Sequence, residues 1–169
     1  MYDGIKQLTS ADEPAFAKAK AFAAYCFAQA GAGGVMRATQ LELARIPKLA
    51  PYVIVLGVIE DGADFHVRLA GTRLVDEFLG ANPTGAKLSQ ILKDDEFGKR
   101  SWHIVRETMR SKQPVLNQPG RTRLRAKDYM QLETITFPLA DEAGSVAKVV
   151  SFYDYTLEKR SSEASLSQF

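Results

Sequence analysis

Two apolar stretches separated by a short turn place the strongest constraint on the fold of this chain. Residues 52–59 are apolar at nearly every position, which is typical of a strand that is covered on both faces. A turn at 61–62 follows, and residues 65–70 then alternate apolar with polar or small side chains. This pattern predicts an antiparallel hairpin in a small sheet that has cover on each side.

Short helices are predicted directly after this hairpin. Thr72 is placed to cap a helix that runs to about Leu79, and Gly80 ends it. A turn at 82–85 then precedes a short segment at 88–92. These segments are too brief for a helical bundle, so we expect them to lie on one face of the sheet.

The second half of the chain predicts one longer helix and three strands. Acidic residues at 94–96 favour the positive end of a helix dipole, and the helix is expected to end near Ser111. Strands are predicted at about 121–126, 129–139 and 146–155. Together with the hairpin, they predict an α+β fold with a five-stranded antiparallel sheet and helices on one face.

An alanine-rich helix is predicted near the N-terminus, from about Ala11 to Ala30. Ser10 and Glu13 have the spacing of a capping box in front of it. We expect this helix to cover the second face of the sheet. Its periodicity places Phe22 and Tyr25 on flanking or outer surface, which predicts that these two rings contact a partner.

Composition narrows the class of protein. The chain has 169 residues and a mass of 18.6 kDa, with 46% apolar and 25% charged residues, as expected for one globular core. A net charge of +2 from mixed signs does not indicate a nucleic-acid binder. The apolar runs are too short for a membrane span, and one cysteine without a secretory segment predicts a cytoplasmic protein.

Several short motifs occur in a specific order between residues 37 and 144. They are Arg37, IPKLAP at 46–51, FHVRLAGT at 65–72, FLG at 78–80, PTG at 83–85, FPL at 137–139 and Gly144. With these motifs the chain resembles the PAS superfamily of sensor domains. More narrowly, it is similar to a single-domain bacterial group that has an added N-terminal helix. It departs from that group at 41–42, where Leu-Glu replaces Asp-Pro.

The resemblance implies an architecture and a mode of assembly. The expected strand order is second, first, fifth, fourth, third, with a pocket between sheet and helices and dimerisation through the added helix or the sheet. We therefore predict an N-terminal helix and linker at 1–36, a PAS-like core at 37–157 and a flexible tail at 158–169. A fold alone does not identify a ligand, so the cofactor stays unknown.

Candidate site residues follow from position in the motifs and on the helices. Arg68 and Thr72 lie in the matched FHVRLAGT run, and Leu132 lies on a predicted strand that borders the pocket. These three are predicted to bind ligand, although Arg68 fits a structural ion pair equally well. Trp102 lies beside the apolar face of the longer helix, which fits either a partner contact or the margin of the core.

Other chemical sites are less well supported. His103 faces away from the apolar side of its helix, which argues against an axial haem ligand. Cys26 lies on an apolar helix face, and the acidic run at 94–96 fits helix capping better than metal binding. Arginines at 121, 123 and 125 alternate along one strand, which fits edge protection better than anion binding.

The sequence therefore predicts a stand-alone sensory or regulatory module and no catalytic residues. It would bind a small molecule, a protein, or both, and pass its signal on as a homodimer or through a signalling partner. A second possibility is a ligand-free adaptor whose pocket is filled by side chains at 65, 67, 69 and 132. A small enzyme of unknown chemistry ranks third, because no nucleophile and base pair is evident.

Overall fold

The computed structural model describes residues 2–31, 35–124 and 128–157. The predicted C-terminal tail and two of the three alternating arginine side chains lie outside the residues and side chains described. The strands are β1 (Ile5–Gln7), β2 (Val53–Ile59), β3 (Asp64–Ala70), β4 (Val115–Leu124), β5 (Asp128–Ala140) and β6 (Val146–Leu157). The helices are α1 (Ala17–Ala30), α2 (Thr72–Leu74, continued by a π turn at Val75–Leu79), α3 (Leu88–Ile91) and α4 (Glu96–Ser111).

Within the described residues, six strands form one antiparallel sheet in the order β1-β4-β5-β6-β2-β3. The predicted order of five strands is confirmed, and β1 adds a sixth at the edge of β4. The prediction of β4 was wrong at its start, because that strand begins at Val115, directly after Pro114. Its first residues pair with both β1 and β5. These pairings stabilise an extended backbone at residues whose own sequence pattern does not indicate a strand.

The two faces of the sheet bury separate apolar clusters. On the outer face, α1 packs on β5 and β6, so the prediction that the N-terminal helix covers this face is confirmed. On the inner face, α2, α3 and α4 cover a second cluster that includes Phe65 and Val67. Alternation along each strand sends neighbouring side chains into different clusters.

A one-residue bulge in β3 changes which side chains face inward. Val55 pairs with Leu69 and Leu56 pairs with Val67, so Arg68 is the extra residue between them. A bulge of this kind interrupts the alternation, and it places Leu69 opposite the outward-facing Val55. Leu69 is consequently 40% exposed, and the prediction that it helps to fill the pocket is wrong.

Helix α1 begins at Ala17 and not at about Ala11 as predicted. The Glu13 carboxylate accepts hydrogen bonds from the backbone of Thr9 and Ser10, which closes a separate turn before the helix. These bonds lower the pKa of Glu13 to about 2, with the Thr9 hydroxyl making the largest contribution. The predicted capping residues therefore form a turn, while the helix is capped from elsewhere.

Two carboxylates of the sheet cap α1. Glu133 on β5 is fully buried and accepts hydrogen bonds from the backbone N–H groups of Ala15 and Phe16, both at 2.8 Å. Asp154, its cross-strand neighbour on β6, accepts from the N–H of Ala19 at 3.0 Å. The unpaired N–H groups of a helix start are thereby satisfied by side chains far away in sequence.

The expectation that Phe22 lies on an outer surface is wrong. Phe22 is fully buried, and its ring stacks on Phe152 at a centroid distance of 4.8 Å. The capping carboxylates turn this side of α1 onto the sheet, so a ring that seemed to lack a partner finds one inside its own chain.

Replacing Glu133 is expected to test the capping contact. Glu133→Ala leaves two partly buried N–H groups without their acceptor and should lower the free energy of unfolding by about 2 kcal/mol. Urea denaturation measures this value. Glu142→Ala, at an exposed position in the β5–β6 loop, is the control and should change stability by less than about 0.5 kcal/mol. Equal effects of the two substitutions would contradict the capping role.

Replacing Phe22 is expected to show whether this ring belongs to the core. Phe22→Ala should lower the free energy of unfolding by about 3–5 kcal/mol, because it removes a fully buried ring and leaves a cavity. Chemical denaturation of dilute protein gives the measurement. Ala24→Ser, on the exposed side of the same helix, is expected to cost about 0.5 kcal/mol. A Phe22→Ala protein as stable as the parent would show that this ring is not part of the core.

Candidate functional site

A cavity of about 590 Å³ lies between the inner face of the sheet and the helices α2 and α3. Its walls are mainly apolar: Ile54 comes from β2, Leu74, Phe78 and Leu79 come from α2 and its π turn, and Met130 comes from β5. Such a volume and lining fall within the range of pockets that hold small organic molecules.

A second cavity of about 260 Å³ lies beside the first, between α4 and the strands β4, β5 and β6. The two cavities share three wall residues, which are Asp95, Phe97 and Tyr153. The sheet wall of the smaller cavity, which we call the polar compartment, includes four buried polar side chains: Asn117, Thr134, Thr136 and Ser151. The Thr136 and Ser151 hydroxyls are 2.9 Å apart and hydrogen-bond to each other.

Arg100 on α4 lies at the wall of this smaller cavity. Its Nε and Nη2 atoms donate to Oδ1 of Asn117 at 2.9 and 2.7 Å. Its Nη2 also donates to the backbone carbonyl of Asp3, just before β1. Sequence reasoning missed this residue. A usable signal was its spacing, since it lies one helical turn before Ile104 on the covered side of α4.

Tyr153 separates the two cavities. Its ring lies 6.0 Å from that of Phe78, and burial raises the pKa of Tyr153 to about 12. A phenol in such a place stays neutral at all physiological pH values. It is therefore a hydrogen-bonding group, and not a charge, on the wall between the two compartments.

Of the predicted ligand-binding residues, Leu132 alone lies on a cavity, where it lines the polar compartment. Arg68 is exposed. Its side chain lies above Gly57 of the neighbouring strand, on the outer face of the hairpin. The β3 bulge leaves it there. Thr72 is exposed as the first residue of α2, with Gly71 in the capping position. Arg68 and Thr72 therefore line neither of these two cavities, and ligand binding by them stays a prediction.

The predicted partner-binding residues also separate. Phe22 is in the core. Tyr25 is partly buried, and its hydroxyl donates to the carbonyl of Gln40 and accepts from the N–H of Glu42, so α1 holds the following loop. Trp102 packs edge-on against Phe65 at 5.7 Å and also borders an outer groove with His103. A partner contact at Tyr25 or Trp102 stays a prediction.

The remaining candidates have structural roles. His103 lies on the outer side of α4, with its ring 5.0 Å from that of Tyr2. Asp95 caps α4, because its side chain accepts from the N–H of Gly98 at 2.7 Å. Cys26 is buried, and desolvation raises the pKa of its thiol. The described residues contain no group of three or more side chains suited to a metal ion.

The helices can also be compared with the requirements of a membrane span. Among the residues that the structure describes, no helix combines the length and apolar character that crossing a bilayer requires.

A family model described as PAS domain matches residues 16–153 of this chain. That range includes α1, all of the cavity-lining helices, the strands β2 to β5 and most of β6. A search of curated proteins finds no match.

A search of solved structures finds chains that are similar to this one. The PAS domain of BvgS from Bordetella pertussis is similar with a TM-score of 0.51 at 13% identity, over 77% of this chain and 96% of that one. A light-oxygen-voltage domain studied with a flavin analogue gives a TM-score of 0.48 at 12% identity, over 78% and 96%. An RNA-binding light-oxygen-voltage receptor gives 0.45 at 14%, over 82% and 38%. At these identities the likeness concerns the fold alone.

The raised pKa of Tyr153 predicts an alkaline effect on stability. Its value moves from 10.0 in the open chain to about 12 in the fold, so the unfolded state loses this proton first as pH rises. The contribution of the neutral phenol is therefore complete below pH 10 and is lost between about 10 and 12. Urea midpoints of the parent and of Tyr153→Phe, compared across this range, should show a steeper fall in the parent. Urea midpoints that fall equally with pH in the two proteins would contradict a raised pKa of Tyr153.

Proposed function

This chain belongs to the PAS domain family, whose members are sensory and signalling domains, and from this premise we propose that it is a sensor for a small organic molecule. The ligand would occupy the apolar cavity and reach the polar compartment beside it. The single observation that carries this proposal is the pair of adjoining cavities, which share Phe97 and Tyr153 as a wall.

The cavity chemistry supports an amphipathic ligand. A volume of about 590 Å³ with mainly aliphatic and aromatic walls suits an apolar body. The adjoining compartment offers hydroxyl groups of Thr134, Thr136 and Ser151 and the amide of Asn117. Buried apolar surface would supply most of the binding free energy, while the polar side chains would fix the orientation.

The same observation favours a sensor over a ligand-free adaptor. An adaptor would fill its interior with its own side chains, as residues 65, 67, 69 and 132 were predicted to do. Phe65 and Val67 are buried on the inner face, but the bulge turns Leu69 outward and space remains under α2 and α3.

A sensor without catalytic groups passes on its state through contacts with another molecule. We propose that this contact is a second copy of the chain or a signalling protein, and that Trp102 takes part in it. The supporting observation is that Trp102 reaches from the inner core, where it touches Phe65, to an outer groove on α4. A shift of the core on ligand binding would thus move Trp102 at that groove.

The proposal is tested by filling the larger cavity. Nile red, a neutral apolar dye whose fluorescence rises in apolar surroundings, serves as the probe with the full chain. Leu79→Trp places a larger side chain on the cavity wall and should weaken dye binding about tenfold, equivalent to about 1.4 kcal/mol. A fluorescence titration measures this change.

Leu69→Trp is the matched control, since it makes the same substitution on the exposed face of the hairpin. It should leave the affinity for Nile red unchanged. Ile91→Trp, on another part of the cavity wall, gives a second test if Leu79→Trp does not fold. Unaltered dye binding in both cavity variants would favour the adaptor.

A further inference from the structure

We propose that the ligand of this sensor carries a carboxylate group, and that Arg100 is the side chain that recognises it. This inference rests on the proposed sensor function and adds the chemical class of the ligand. It comes from the state of Arg100, which borders the polar compartment and has no acidic partner among the residues that the structure describes.

The hydrogen bonds of Arg100 leave part of its guanidinium unused. Nε and Nη2 donate to Asn117 Oδ1, and Nη2 donates to the Asp3 carbonyl. Nη1 donates to none of the described residues, and none of them places a carboxylate oxygen within 4.0 Å of this guanidinium. Ion pairs are formed instead by Lys6, Arg45, Arg73 and Lys99.

Neutral groups hold the guanidinium in place, namely two oxygen atoms and the ring of Tyr2, whose centroid is 5.8 Å from Cζ, and none of them carries a negative charge. Asn117 is 7% exposed, and it fixes the orientation of Arg100 through two bonds to one oxygen. A carboxylate offers the planar acceptor pair that a guanidinium binds best, and such charge-assisted bonds are stronger than neutral ones. The arrangement is thus preorganised for an anionic group that enters the compartment.

Arg100 is the cationic side chain among the residues that line the compartment. Asp95 and Glu96 also line this cavity, but both are exposed, and the side chain of Asp95 caps α4. Solvent screens such exposed carboxylates. The buried part of the wall includes the neutral hydroxyls of Thr134, Thr136 and Ser151.

The position of Arg100 relative to the larger cavity suggests the remainder of the ligand. Phe97, one helical turn before Arg100 on α4, lines both cavities. A molecule with its carboxylate at Arg100 would extend past Phe97 and Tyr153 into the apolar cavity. A medium-chain aliphatic carboxylate has this shape and polarity.

A structural role for Arg100 makes a different prediction. Its bond to the Asp3 carbonyl ties the N-terminal segment to α4, and loss of that tie would lower stability for any ligand. A recognition role instead alters the preference between a carboxylate and its neutral analogue. The ratio of the two affinities therefore distinguishes a role of Arg100 in ligand recognition from a purely structural role.

The experiment compares octanoate with octanamide, which have the same chain and differ in charge, by calorimetric titration of the full chain. The parent protein should bind octanoate about tenfold more tightly than octanamide. Arg100→Gln should reduce this ratio to within about twofold, and Arg100→Lys should retain part of it. Lys99→Gln is the matched control, since it removes the same charge from the exposed neighbour and should keep the full ratio.

Two results would overturn the inference. One is equal affinity of the parent for octanoate and octanamide, and the other is an unchanged ratio in Arg100→Gln. Parallel titration with Nile red distinguishes this failure from a failure of the sensor proposal. If the parent protein binds Nile red but does not prefer octanoate to octanamide, only the proposed ligand class is refuted. If the parent protein also fails to bind Nile red, the sensor proposal is refuted as well. If Arg100→Gln does not fold, the parent ratio and Arg100→Lys decide the question.

Discussion

The contact between two sheet carboxylates and the start of α1 is the interaction on which the rest of the structure depends. Glu133 and Asp154 face each other across β5 and β6, and both accept backbone N–H groups of α1 or of the residues just before it. Two neighbouring carboxylates would be costly in a covered position without such donors. Their pairing with the helix start sets where α1 lies, and this placement buries Phe22 on Phe152.

The arrangement leaves the opposite face of the same strands for the cavities. Leu132 and Thr134 line the polar compartment, while Glu133 between them caps α1 on the other side. The cavities and the contact with α1 are thus separated by the thickness of one strand. A molecule bound in the cavities, as we propose, would have a short physical connection to α1 through β5.

Local patterns in the sequence predicted the short inner helices and the helix over the outer face, and the resemblance to PAS domains implied the strand order. Reasoning from local patterns failed at positions that a distant contact or a bulge decides. The start of α1 depends on Glu133, which is 118 residues from Ala15, and β1 is three residues long with support from β4 alone. Arg68 was misplaced because a bulge has no local signal, and Arg100 was missed because its partners come from two other segments.

The short edge strand β1 lies outside the range of the family model, which begins at residue 16. Its pairing with β4 is extended by Leu8, which donates to the Pro114 carbonyl, and by Gly4, whose carbonyl accepts from Gln118. A fragment trimmed to the family boundaries would therefore expose the backbone of β4 along this edge. Exposed edges recruit strands from other molecules, so the first residues protect the sheet against unwanted self-association.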